Sequence, residues 1–180
     1  MGKSLKFKYI AKHSLTIAQL LYENQNILRY MNYLTDDPLS NRTINRKGQI
    51  VEQPDINLGF DESGLNTGCF NKDILTETKC HLFIHPIKSN GMRTSKIIGE
   101  LQYGIDIITP SGFQILADSR EYRDFNIADE ISQLIDGKAV TGVGDVEIND
   151  FSSGKLDSEY CYLTLFVSIK NFTIKDVSIS

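Results

Sequence analysis

The chain predicts an α+β fold, a mainly antiparallel sheet with two helices on one face and a long extended arm. Three observations carry this. Within the run Arg120 to Gly137, Ile127, Ile131, Leu134 and Ile135 fall at i, i+4, i+7 and i+8, one stripe of a helix. Cys161, Leu163, Leu165, Val167 and Ile169 alternate with Tyr160, Tyr162, Thr164, Phe166 and Ser168, and alternation of that length marks an antiparallel strand with two distinct faces. The strand-like runs also cluster along the chain instead of alternating with helices, which separates α+β from α/β.

Residues 1–12 alternate Leu5, Phe7 and Tyr9 with Lys6 and Lys8, which suits an edge strand or a flexible arm. A first helix follows. Thr16 to Gln19 has the form of a capping box, and Ile17, Leu20, Leu21, Ile27, Leu28, Met31 and Leu34 make an apolar face interrupted only by Asn24. Asp36-Asp37-Pro38 is expected to end it, because the residue before a proline is pushed out of the helical region. Residues 37–76 carry little regular pattern but hold scattered apolar residues, so they pack somewhere, either on a neighbouring subunit or over their own domain.

Lys79 to Lys88 sets His81, Phe83 and His85 against Cys80, Leu82 and Ile84, with Pro86 marking an edge position or strand end. Ser89 to Met92 reads as a turn, and Ser95 to Pro110 as a strand with Leu101, Tyr103, Ile105 and Ile107 on one face. After a tight turn at Pro110 to Gly112 the chain is expected to return as a strand through Asp118. The second helix then runs to Gly137, where a left-handed cap is expected, and a strand pair follows around Asp145 to Phe151 and Glu159 to Phe172. The tail from Phe172 alternates again. The expected division is 1–36 as N-terminal arm and first helix, 37–76 as extended arm and 77–180 as sheet-and-helix core, one domain overall.

With 180 residues, 41% hydrophobic and 23% charged, the chain is long enough to bury a core. A net charge of −4 implies no global attraction to nucleic acid or anionic lipid. No apolar run approaches the ~20 residues that span a bilayer, and the basic start lacks the apolar segment of a secretory signal. Lys6 stands where a myristoylation motif wants Ser or Thr. Cys69, Cys80 and Cys161 are odd in number and far apart, which argues against a disulfide framework and for a reducing compartment.

The search for chemistry returns bland readings. His81 and His85 would be a zinc pair on a helix, but on a strand they stand about 13 Å apart. Asp61 to Gly68 lacks the alternating ligands and terminal glutamate of a calcium loop. No Ser or Cys sits in a nucleophile motif, and Gly142 to Gly144 is too short for a dinucleotide fingerprint. No cofactor, metal or catalytic residue is expected, and the chain does not read as an enzyme. Lys3, Lys6, Lys8 and Lys12 form a basic cluster that either contacts phosphate or is solvated charge.

Three stretches resemble the neck proteins of tailed bacteriophages, the tail-terminator and head–tail joining families. Asn26 to Ser40 resembles their first helix with its Asp-Pro-Leu-Ser exit, Ile127 to Ile148 their helix, glycine turn and strand, and Tyr160 to Ile169 the strand that follows. The resemblance implies a structural virion protein that assembles as a sixfold or twelvefold ring between portal and tail, meeting other neck or tail rings while DNA passes through the hole. It implies localisation to the virion neck, and to host cytoplasm during assembly, with no membrane contact. In such a ring the arm residues Arg42, Ile44, Arg46, Ile56, Leu58, Phe60, Leu65 and Phe70 are the expected subunit contacts. The alternative is a nucleic-acid-contacting accessory protein that uses the basic N-terminal segment.

Overall fold

The computed structural model describes residues 7–46, 57–58, 60–70, 72–75, 79–91, 98–140 and 145–170. Three helices, α1 (Phe7–Glu23), α2 (Gln25–Asn32) and α3 (Arg123–Ile135), pack on one face of an open five-stranded sheet. The strands are β3 (Leu65–Thr67), β4 (His81–Gly91), β5 (Ile98–Pro110), β6 (Val146–Lys155) and β7 (Tyr160–Lys170), in spatial order β3-β4-β5-β7-β6. All neighbours are antiparallel except β3 with β4. Two further strands, β1 (Asn45–Arg46) and β2 (Asn57–Leu58), form a small parallel pair of their own.

The α+β expectation holds, while several elements differ. Phe7 to Lys12 is helical, neither edge strand nor arm. Ile10, His13, Ser14, Ile17, Ala18 and Leu21 are all buried, a continuous i, i+3, i+4 stripe that two polar residues conceal from a hydrophobicity reading. Thr16 therefore lies mid-helix, where its hydroxyl donates to Lys12 O at 3.0 Å instead of capping. The predicted first helix breaks at Asn24, whose carboxamide oxygen accepts from Asn26 N (2.9 Å) and Ile27 N (3.1 Å) and so caps α2. α2 ends at Asn32, ahead of Pro38, which opens a single 3₁₀ turn.

Ser89 to Gly91 continue β4 instead of turning, and the strand carries two register shifts, between Pro86 and Lys88 and between Asn90 and Gly91. Pro86 lies beyond the short β3 pairing, next to the first of these shifts, where a missing N–H is tolerated. The expected strand after Gly112 is absent. A 3₁₀ turn (Ser111–Phe113) leads into a loop held to the start of α3, with a single bridge between Ile115 and Tyr122. α3 buries Ile127, Ile131 and Ile135, and Gly137 adopts the predicted left-handed conformation at φ 68°. On β7 the predicted inner residues, from Cys161 to Ile169, are all buried. The tail 171–180 and most of the glycine turn, 141–144, lie outside the described residues.

The core is the helix-facing side of the sheet, with Leu82, Ile84, Leu101, Tyr103, Ile105, Leu163 and Val167 against Ile17, Leu21, Ile27, Met31, Ile127 and Ile131. β3 approaches so closely that Gly64, at φ 84°, has no room for a side chain, since a Cβ there would stand 2.7 Å from Cys80 O.

Candidate interaction surface

Polar groups inside the fold serve architecture. Arg123 is 1% exposed and threads between α2 and the 111–113 turn. Its Nη1 donates to Tyr30 O (3.0 Å) and Tyr33 O (2.8 Å), its Nη2 to Thr35 O (2.6 Å) and its Nε to Phe113 O (2.9 Å). It thus terminates α2 from outside, using carbonyls that a helix end leaves unpaired. Cys80 is fully buried and its thiol is pushed up to about 11 by burial, which suits a packed hydrophobe and not a nucleophile.

On the sheet face away from the helices, His85 Nε2 lies 3.0 Å from Asp106 Oδ2, and Thr164 Oγ1 donates to Asp106 Oδ1 at 2.6 Å. Gly104 makes room for the imidazole, because a Cβ there would meet His85 Nε2 at 2.7 Å. The hydrogen bond to Asp106 raises the His85 pKa above its usual value, burial works against it, and the Asp106 charge and the Pro86 backbone add to the rise. Asp106 is engaged on both oxygens, so the group reads as a structural cross-link between β4, β5 and β7. His81 shares this face and stacks near Phe83 at 6.4 Å. No group of three or more His, Cys, Asp or Glu that could hold a metal ion occurs among the described residues. No helix among them is long and apolar enough to cross a membrane.

The predicted contact residues of the arm are dispersed, and Ile44, Phe60, Leu65 and Phe70 turn towards the body. Ile44 is fully buried, with its N–H and C=O both bonded to the Gln25 carboxamide at 3.1 and 2.9 Å. Leu65 joins the core as the first residue of β3. Phe60 packs edge-on to Tyr22 at 5.4 Å, and Phe70 to Phe83 at 5.3 Å on the opposite sheet face. In the described parts of the arm these four residues pack over their own domain, and Ile44 and Leu65 are buried there. Arg42 is exposed, Arg46 and Leu58 sit in β1 and β2, and Ile56 lies outside the described residues. Of the basic cluster, Lys8 and Lys12 fall on α1, and Lys3 and Lys6 lie outside the described residues.

A different surface is exposed. Ile115, Tyr122, Phe125 and Phe151 are each between 41% and 56% accessible. They are contiguous. Ile115 bridges to Tyr122, the Tyr122 and Phe125 rings lie 6.0 Å apart, and Phe125 meets Phe151 edge-on at 5.6 Å. Phe151 belongs to β6, whose sole sheet partner among the described residues is β7. The start of β6 is capped: Gly137 N donates to Val146 O (2.8 Å), Val146 N to Lys138 O (3.0 Å) and Ile148 N to Asp136 Oδ1 (2.9 Å). From Asn149 to Lys155 every residue is exposed. Along this stretch only the Asp150 carboxylate, accepting from Phe151 N at 2.8 Å, occupies the outer edge among the described residues. An edge that no described residue pairs, beside an aromatic patch, is the kind of surface another strand can cover. Sequence reading missed these residues because Phe125 and Phe151 fall off the buried stripes, and large apolar residues out of phase were the available signal.

Fold and surface together define an α+β protein with an exposed, contiguous aromatic patch beside β6. The sequence model of the YomW family matches residues 24–169, and the chain belongs to that phage-associated family. No curated protein matches the chain.

Proposed function

We propose that this is a structural protein of the phage particle, a subunit of an oligomeric ring in the head-to-tail connector, acting as tail terminator or head–tail joining protein. The aromatic surface of Tyr122, Phe125 and Phe151, beside a β6 edge that no described residue pairs, carries this reading. A chain gains by covering such a surface, at roughly 25 cal/mol per Å² of apolar area. Membership of a phage-associated family and the neck-like order of elements support a place in the virion. In this reading the chain carries no catalytic centre, and its partners are copies of itself and the adjoining portal, connector or tail rings. DNA passes through the lumen without being gripped, and assembly takes place in the host cytoplasm.

Sedimentation and negative-stain imaging of the purified chain test the proposal. Annular particles of six or twelve subunits are expected, and Phe151→Asp should release folded monomers with an unchanged circular dichroism spectrum. A wild-type chain that stays monomeric at high concentration overturns it.

A further inference from the structure

The sheet ends in two unlike edges. On the β4 side, β3 pairs Leu82 to Ile84, and the strand beyond carries Pro86 and two register shifts, features that discourage an added strand. On the β6 side, the stretch after the bulge at Asn149 holds neither proline nor a further shift. Asn149 to Lys155 are all exposed, and no described residue pairs them along the outer edge. Strand addition is therefore open at β6, and two copies that meet there present the same edge to each other.

The pleat decides which groups face outward. Val146 and Ile148 point their main-chain groups to the Gly137, Lys138 and Asp136 cap. The bulge between Ile148 and Asp150 resets the alternation, and at the far end Leu156 N turns inward to Tyr160 O. Counting back from Leu156, Ser152 and Gly154 bond β7, whereas Phe151, Ser153 and Lys155 present N–H and C=O to the outer edge. Phe151 and Ser153 stand opposite Leu165 and Leu163, so their side chains lie on the helix-facing side.

We infer that β6 pairs antiparallel with β6 of a second copy about a twofold axis at Ser152. Phe151 then faces the partner's Ser153, and Asn149 the partner's Lys155, so the whole exposed stretch of both chains is used. A register about Phe151 would drive Lys155 onto the Gly137–Lys138 cap, and one about Ser153 would set Asn149 against the turn that follows β6. The two Phe151 side chains become diagonal neighbours on the helix-facing side, about 7–8 Å apart and within reach for aromatic rings. The cluster of Tyr122, Phe125 and Phe151 in one copy thus continues into that of the other, covering Phe151, which is 53% exposed in the single chain. Like charges do not meet. Asp150 stands opposite the partner's Gly154, and Lys155 lies diagonal to the partner's Phe151, where an ammonium is attracted to a ring face. The contact goes beyond the ring reading and does not depend on it. A ring that contains it holds an even number of chains, since each chain has one twofold partner.

Oxidative cross-linking reads the register directly. At the axis, Ser152 and its copy form a non-hydrogen-bonded pair with Cα atoms about 4.5 Å apart, within the span of a disulfide. In a Cys69→Ser background, Ser152→Cys should oxidise to a covalent dimer and no larger ladder, while Ser153→Cys, about 7–8 Å from its copy, should stay single. No cross-link at Ser152→Cys, ladders beyond two chains, or a cross-link at Ser153→Cys in its place overturns the inference. A second variant needs no new thiol. Ser153→Pro removes an outward N–H and leaves the β6–β7 ladder bonded. It should sediment as a folded monomer with an unchanged circular dichroism spectrum, and a Ser153→Pro chain that self-associates like wild type also overturns the inference. If annular particles form without the Ser152→Cys cross-link, the pairing fails and the ring stands. If the cross-link forms and no annular particle appears, the pairing stands and the ring fails.

Discussion

Arg123 heads the largest fully buried side chains among the described residues, and the four hydrogen bonds of its guanidinium end on backbone carbonyls. Burial pushes its pKa down, yet a guanidinium keeps its charge in proteins, so these carbonyls stand in for water. Arg123→Met should lower unfolding free energy by roughly 3–5 kcal/mol in a urea titration, since it strands several buried acceptors at once. His85 gives a pH signature. Its folded pKa lies above the ordinary 6.5, so its stabilisation is complete below that value and fades as pH rises through the raised one. His13 has the opposite sign: burial lowers its pKa, and what it contributes is lost as pH falls. The difference between wild type and His85→Gln isolates the first effect. That difference should shrink from pH 6 towards alkaline pH in thermal melts, and a flat difference would show that the Asp106 contact does not favour the imidazolium. None of this was legible in the sequence, where Arg123 looks like surface charge and His85 one member of a spaced pair.

At the scale of elements, the break between α1 and α2 depends on Asn24. Besides capping α2, its amide donates to Glu130 Oε2 at 3.4 Å, and Asn26 donates to Glu130 Oε1 at 2.9 Å, tying the break to α3. Asn24→Ala should cost about 1 kcal/mol in a denaturant titration, whereas Asn24→Ser, which keeps a cap, should cost less than about 0.5 kcal/mol. The elements with continuous periodicity were readable in advance: α3 and its glycine cap, β5 and β7. Those that failed are informative. The N-terminal half of α1 hid because His13 and Ser14 occupy buried positions. The strand expected after Gly112 became a loop because Arg123 holds that segment by Phe113 O and Gln114 O. Propensity gave way to tertiary contacts in both places.

For the whole molecule, the proposed ring reading, with an acidic balance of −4 and an exposed aromatic patch, predicts protein partners and weak binding of nucleic acid. Assembled particles should bind duplex DNA weakly, with little dependence on salt, in filter-binding assays. Tight binding that falls steeply between 50 and 200 mM salt would instead favour the basic N-terminal segment as a working surface.

The sequence by itself determined the fold class and the buried faces of the longest elements, because hydrophobic period is a local property that survives without a partner. Only the tertiary structure decided that Ile44, Phe60, Leu65 and Phe70 of the arm pack onto its own body and that Tyr122, Phe125 and Phe151 form one exposed patch. Which strand is left at the edge of a sheet, and which apolar residues remain outside after packing, depend on contacts between segments far apart in the chain. No local pattern encodes them.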